Sequence, residues 1–138
     1  MTDDASAEDG DTTGPVPSLL CDVQALTAGL GPDGAGAVWK LAESGRQLDA
    51  NLVHLQAGRQ VGTHTEPDLD VLLLVVAGSG VLTSPGGAER LTAGSLYWLP
   101  RGSTRALTAG DAGLSWLTVH RRRPGLQIRP GPRPEAPA

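Results

Sequence analysis

Hydrophobic residues recur in short runs through the middle of the chain, and glycine-rich segments separate the runs. From residue 37 onward the apolar positions follow a period of two, which indicates β-strands, and the 3.6-residue period of a helix is absent there. This succession of short strands predicts an all-β fold, either an antiparallel sandwich or a small barrel. The predicted strands cover 37–42, 48–56, 71–77, 81–83, 89–91, 96–99, 104–108 and 114–120.

One helical pattern precedes the strands. Ser18 is a candidate cap for a short helix that runs to about Leu30, where Gly31 and Pro32 end it. The apolar residues of this segment are spaced i, i+4, i+7 and form one narrow stripe, which must lie on another surface. The stripe consists of Leu19, Val23 and Leu26.

The strand 71–77 is apolar on both faces, whereas a strand with one solvated face alternates. Its outer face must therefore be covered, either by the N-terminal helix or by a second subunit, and we expect a homodimer. Gly78-Ser79-Gly80, which follows it, is predicted to be a hairpin turn. The adjacent Tyr97 and Trp98 point to opposite faces of their strand, so at most one of them looks into a barrel.

The two ends of the chain differ from the middle in composition and from each other in charge. Residues 1–14 are acidic and poor in apolar side chains, which predicts a disordered tail. Residues 124–138 are rich in proline and arginine and predict a second tail. Between them we expect a helix and linker over 15–35 and one barrel domain over 36–123.

Composition excludes several classes of protein. The 138 residues carry a net charge of −4, and no nucleic-acid-binding motif accompanies the basic run Arg121-Arg122-Arg123, so no nucleic-acid partner is expected. Cys21 stands alone, which excludes an internal disulfide framework and a cysteine-based zinc cluster. No apolar run approaches the length needed to cross a bilayer. These features predict a cytoplasmic protein without a membrane partner.

Two stretches of the barrel region carry a recognisable frame. Gly58 is followed after five residues by His64, then by Glu66, and a glycine turn closes the stretch at Gly80. Further along, Gly94 is followed after five residues by Pro100-Arg101-Gly102. This frame resembles the paired motifs of the small single-domain cupins. The resemblance implies a cupin-type antiparallel β-barrel, a double-stranded β-helix or jelly roll, with one short N-terminal helix.

Cupin motifs supply histidines and a glutamate that hold a divalent metal, and this chain departs from that set. Glu66 stands where the second histidine is expected, and the third ligand position falls on Val71 or on Asp70, depending on the spacer. The last ligand position is Arg105, whose guanidinium has no lone pair to give to a metal. Arg105 either points inward, to pair with a carboxylate or to bind an anionic ligand, or lies outward in solvent.

The resemblance with these departures favours a small-molecule binding module for a polar or anionic ligand, without the usual metal centre. The candidate pocket residues are His64, Glu66, Asp70, Arg105 and His120. The alternative is a metal-dependent cupin enzyme, an oxygenase or isomerase, with Fe, Mn, Ni or Zn on His64, Glu66 and Asp70 and with His120 as a replacement ligand. Whether the chain is an enzyme stays open, and no catalytic residue is assigned.

Overall fold

The structure, a computed structural model, describes residues 14–31 and 34–123. Residues 1–13 of the predicted acidic tail and the whole predicted tail 124–138 lie outside the described residues. The all-β prediction is confirmed. Helix α1 spans Val23–Ala28, and strands β1 to β7 span Gly36–Lys40, Leu48–Leu55, Gln60–Thr65, Val71–Ser84, Gly87–Thr92, Leu96–Leu99 and Thr104–Arg121.

Helix α1 is shorter than the predicted helix and begins at a different cap. The carboxylate of Asp22 accepts hydrogen bonds from the amides of Gln24 and Ala25, at 3.0 and 3.1 Å, so the helix starts at Val23 and not near Ser18. At the other end, the Gly29 amide donates to the carbonyl oxygen of Ala25. Leu19 precedes the helix and is exposed, so the predicted stripe does not form.

All strand pairs are antiparallel, and the two longest strands organise the sheet. β7 pairs with β3 along its first half and with β2 along its second half, and β4 runs beside both halves. β4 pairs in turn with β6 through Val71–Leu74 and with β5 through Ser79–Ser84. The sheet therefore has two halves: β1, β2 and β6 flank one, β3 and β5 flank the other, and the backbones of β4 and β7 belong to both.

The two halves are joined at a bend, where the backbones of the paired strands β4 and β7 lie very close together. A Cβ atom on Gly78 would lie 2.1 Å from the carbonyl oxygen of Gly113, and one on Gly80 would lie 2.3 Å from that of Thr108. Gly78 also has a φ of +79°, which only glycine adopts readily. The prediction of a hairpin turn at Gly78-Ser79-Gly80 is wrong, because the strand continues through these residues and the glycines permit the bend.

Strand β3 was not predicted. Its one partly buried residue is Val61, and the register against β7 shifts between Val61 and His64, so a bulge interrupts the alternation that marks other strands. Backbone pairing with β7 defines the strand in place of a hydrophobic pattern. This strand carries His64 to the edge of the barrel.

The core lies between the two halves and draws side chains from both. Val71, Leu73, Val75 and Trp116 come from one half, and Leu107 with its neighbours comes from the other, in one continuous cluster. Tyr97 packs against this cluster while Trp98 is 60% exposed, so the predicted opposite orientation of this pair is confirmed. The other members of the cluster are Leu69, Leu82, Leu91, Leu99, Ala109 and Leu114.

The outer face of the β4–β6 region is partly open. Leu72, opposite Trp98 in the ladder, is 41% exposed, and Leu96 is 63% exposed. Helix α1 contacts β4 but contributes no buried residue of its own. Of the described helices, none has the length and apolar character of a membrane span.

Candidate functional site

The predicted site residues cluster at the end of the barrel opposite the glycine bend. There Glu66, just after β3, binds Arg123, just after β7, and its backbone oxygen accepts a 2.7 Å hydrogen bond from the amide of Gly102. Residues from both halves of the sheet therefore meet at this end, which we call the mouth. His64 lies two residues before Glu66, and His120 lies three residues before Arg123.

Arg105 is buried inside the mouth. It alternates along β7 with Leu107 and Ala109, which belong to the core, so its side chain enters the barrel and only 6% of the residue is exposed. Nη1 donates to the backbone oxygen and to Oγ of Ser103, at 3.3 and 3.1 Å. A guanidinium also has donors on Nε and Nη2, and these have no partner among residues 14–31 and 34–123.

The electrostatic surroundings of Arg105 show one compensating charge. Burial lowers the pKa of the Arg105 guanidinium, and the negative charge of Glu66 raises it part of the way back. No carboxylate within the described ranges forms an ion pair with Arg105. A buried cation with a distant counter-charge is costly, so this arrangement is open to an anion that supplies direct hydrogen bonds.

Glu66 is held by contacts on both carboxylate oxygens. One oxygen accepts a 2.8 Å hydrogen bond from the amide of Asp68, and the other binds Nη2 of Arg123. Burial raises the pKa of Glu66. The hydrogen bond from Asp68 and the hydrogen bond and charge of Arg123 lower this pKa by more than burial raises it, so it lies below its ordinary value. Glu66 is therefore a fixed anion at the mouth.

His64 is the cross-strand neighbour of Arg105, and directly opposed residues share a face of the sheet. Its Nδ1 lies 3.0 Å from the carbonyl oxygen of Gly62 and donates to it, because a carbonyl can only accept. That bond requires a proton on Nδ1 and leaves Nε2 without a role in it. His64 is exposed and flanks the buried arginine on its open side.

Asp70 is directed away from Arg105. Its carboxylate accepts hydrogen bonds from the backbone amide and the guanidinium of Arg101, at 2.9 and 3.1 Å. The next residue, Val71, is buried and belongs to the core, so the inward position at the start of β4 is apolar. Of the two candidates for the third ligand position of the motif, Val71 is therefore the residue that faces inward. Asp70 lies on the rim with Arg101.

His120 shares the inward face of β7 with the core, since it stands opposite Val71 in the ladder. Its Nδ1 lies 2.8 Å from the carbonyl oxygen of Arg121 and donates to it. His120 and Arg105 thus reach the same mouth from different halves of the sheet. The structure gives no direct contact between them.

Arginines at the rim were missed as site residues. A cavity of about 590 Å³ opens at the mouth, and half of its lining residues are arginines. No role in a site was predicted for Arg121 or Arg123, and only the closure of the barrel brings them to the loop after Glu66. The lining consists of Pro67, Asp68, Leu69, Arg101, Arg121 and Arg123.

Solved structures share this fold. A protein from Bacillus halodurans superposes with a TM-score of 0.63 at 20% identity, over 83% of this chain and 87% of that one. A cupin superfamily protein from Desulfitobacterium hafniense superposes with a TM-score of 0.60 at 18% identity, over 78% and 93%. The chain has a small single-domain cupin fold. No protein-family model and no curated protein matches its sequence.

Another solved structure is more similar in sequence over a shorter region. It is a sugar phosphate isomerase of the cupin superfamily from Silicibacter pomeroyi, 26% identical, with a TM-score of 0.53. The alignment covers 57% of this chain and 53% of that one, so this chain spans about half the length of that relative.

The donor set at the mouth does not fit a cupin metal centre. Arg105 occupies the last ligand position of the cupin motif and is buried there as a cation, which repels a dication. Asp70 is engaged by Arg101, and Val71 stands at the inward position beside it. Among residues 14–31 and 34–123, no three His, Cys, Asp or Glu residues are grouped to hold a metal ion.

Acid should destabilise the folded chain by protonating Glu66 at the mouth. Its pKa is lower in the folded chain than in the unfolded one, so its contribution to the free energy of unfolding is complete above the unfolded pKa of about 4.3. That contribution is lost as the pH falls through the lower folded-state pKa. We expect Glu66→Gln to flatten the pH dependence of stability in this acid range, measured by urea denaturation.

Glu89→Gln, on an exposed residue of β5, is the matched control for that measurement. If the pH dependence is as steep in Glu66→Gln as in the wild type, the Arg123 contact does not stabilise the fold.

Proposed function

We propose that the protein is a cupin-fold module that binds a small anionic molecule at its mouth, without the metal centre of the cupin motif. The observation that carries this proposal is the buried Arg105 guanidinium, whose Nε and Nη2 donors have no partner in the described part of the chain. A planar edge with parallel N–H groups matches a carboxylate or phosphate. His64, Glu66 and His120 would surround the bound group.

Two further observations support an anionic ligand. Arg105 stands where the cupin motif has a metal ligand, so the positive charge of its guanidinium takes the place of the charge of a metal ion. The Silicibacter pomeroyi relative is named as an isomerase of sugar phosphates, and this substrate class is anionic. Because the alignment covers about half of each chain, that likeness supports the ligand class and not an isomerase activity.

Isothermal titration with small carboxylates and phosphates tests the proposal. We expect saturable binding that weakens as salt is added, since the contact is between charges. Elemental analysis of protein purified without chelator runs beside it, on the wild type and on His64→Ala. Stoichiometric metal that disappears in His64→Ala would favour the alternative of a metal-dependent enzyme, an oxygenase or isomerase, and overturn the proposal.

We also propose that two copies pair through the outer face of β4 and β6. Leu72, Leu96 and Trp98 are large, apolar and 41%, 63% and 60% exposed, and the strand register makes them neighbours. Contiguous exposed apolar patches of this kind mark interaction surfaces, and buried tryptophans contribute strongly to them.

We further propose a cytoplasmic setting, in which Cys21 stays reduced.

The dimer is tested by one charge on the patch. We expect the wild type to sediment as a dimer at micromolar concentration and Trp98→Lys to sediment as a monomer, because a buried lysine charge is not compensated there. The control is Val81→Lys, on an exposed residue of the other half of the sheet, which should remain dimeric. A monomeric wild type, or a dimeric Trp98→Lys protein, contradicts this interface.

A further inference from the structure

The cavity at the rim of the mouth is open to solvent and is lined mainly by positive charge. Its volume is about 590 Å³. Its lining contains three arginines and a single carboxylate, that of Asp68. The two other carboxylates near the rim are already engaged, since Asp70 binds Arg101 and Glu66 binds Arg123.

Arg121 is the rim arginine with the most freedom to bind a ligand. It is the last residue of β7, it is exposed, and it has no ion pair within the described ranges. Arg101 and Arg123 each contact a carboxylate through one guanidinium nitrogen, so both retain donors for a second anion. The rim therefore offers several guanidinium groups to a single acidic group of high charge.

Glu66 links this rim to the interior of the barrel. Its carboxylate binds Arg123, which lines the cavity, and its charge acts on Arg105 inside the mouth. Glu66 is also the residue whose backbone is tied to Gly102, on the loop that bears Arg101. Glu66 therefore contacts an arginine of the cavity and also acts electrostatically on Arg105.

We propose that the rim cavity is a second anion subsite and that the ligand is a compact molecule with two acidic groups, a phosphate at the rim and a carboxylate at Arg105. This inference rests on the proposed function, because the inner subsite is the one argued there. The ligand carboxylate bonds Arg105 directly, which Glu66 does not. The phosphate, with its higher charge, lies among Arg101, Arg121 and Arg123.

Three probes with the same carbon skeleton separate the two subsites. Glycerate carries the carboxylate, glycerol phosphate carries the phosphate, and phosphoglycerate carries both. Titration calorimetry at constant ionic strength measures their affinities. We expect the wild type to bind phosphoglycerate about tenfold or more tightly than either single-anion probe, since a charged hydrogen-bonded contact contributes at least that factor.

The variants assign the subsites. Arg121→Gln should weaken phosphoglycerate and glycerol phosphate by about tenfold and leave glycerate unchanged, and Arg105→Met should weaken glycerate and phosphoglycerate. Arg90→Gln removes an exposed arginine of β5 that does not line the cavity and controls for net charge.

Other results overturn the inference. If Arg121→Gln leaves phosphoglycerate affinity unchanged while Arg105→Met abolishes it, the rim subsite is wrong and the proposed function stands. If Arg105→Met changes no affinity, the proposed function fails, whatever Arg121→Gln does. If Arg90→Gln weakens phosphoglycerate binding as much as Arg121→Gln does, the effect comes from net charge and not from a contact at the rim. That result also contradicts the rim subsite.

Discussion

Arg105→Met is expected to bind anions far more weakly than the wild type and yet to be at least as stable. Methionine fills much of the volume of arginine without its charge, so the cost of holding a buried cation disappears. Replacing buried charges by apolar residues is often neutral or stabilising by about 1–4 kcal/mol. Loss of one partner of a buried, hydrogen-bonded charge pair costs a complex about 2–5 kcal/mol of binding free energy.

Urea denaturation without ligand and calorimetric titration with a carboxylate measure the two effects on the same protein. Arg90→Met, at an exposed position, is the matched control and should change neither quantity appreciably. If Arg105→Met is strongly destabilised, the guanidinium is a structural group whose bonds to Ser103 hold the mouth together. In that case its burial is not a sign of a binding site.

Gly78→Ala is expected to cause the largest loss of stability. The new Cβ atom would meet the carbonyl oxygen of Gly113 at 2.1 Å and its carbonyl carbon at 2.8 Å, and both belong to backbone that cannot rotate away. The positive φ adds strain of about 1–3 kcal/mol for a residue with a side chain. We expect a total loss of about 4 kcal/mol or more in the free energy of unfolding.

Gly58→Ala separates the two contributions. Gly58 has nearly the same φ, +76° against +79°, but a Cβ atom there meets nothing within 4 Å. Its loss should be limited to the conformational strain, and the difference between the variants reports the close approach of the two long strands. Equal losses, measured by urea denaturation, would show that the bend has room for a side chain.

The alternating pattern predicted strands well wherever one face of the strand is buried. It placed the strands around Leu73 and Trp116 because their neighbours of the same parity, Val71, Val75 and Leu114, also belong to the core. The pattern failed where backbone geometry, and not side-chain burial, determines the path of the chain. Glycines at the bend of β4 and β7 looked like turns, since a sequence does not show whether the chain reverses or only bends at a glycine.

The site was predictable only as far as local motifs extend. The spacing of the two cupin-like motifs located His64, Glu66 and Arg105, which the structure brings to one mouth. The inward orientation of Arg105 follows from its alternation with Leu107, but the sequence could not exclude a bulge. Arg121 and Arg123 could not be assigned, because their approach to Glu66 depends on closure of the whole barrel.

The local signals for the helix were ambiguous for a physical reason. Ser18 and Asp22 are both good capping residues, and each precedes apolar residues at helical spacing. The carboxylate of Asp22 bonds two amides at once, and this decides the start of α1.

The continuity of β7 has a consequence for how the protein loses its structure. On both sides of the bend its residues pair with neighbouring strands, β3 and β4 before it and β2 and β4 after it, so one uninterrupted backbone spans both halves of the sheet. Neither half can separate as an independent foldon without breaking bonds that the other half also needs. We therefore expect low-energy opening at the strands with a single partner, which are β1, β3, β5 and β6. The amide protons of the strand that bears Arg105 should exchange in global unfolding.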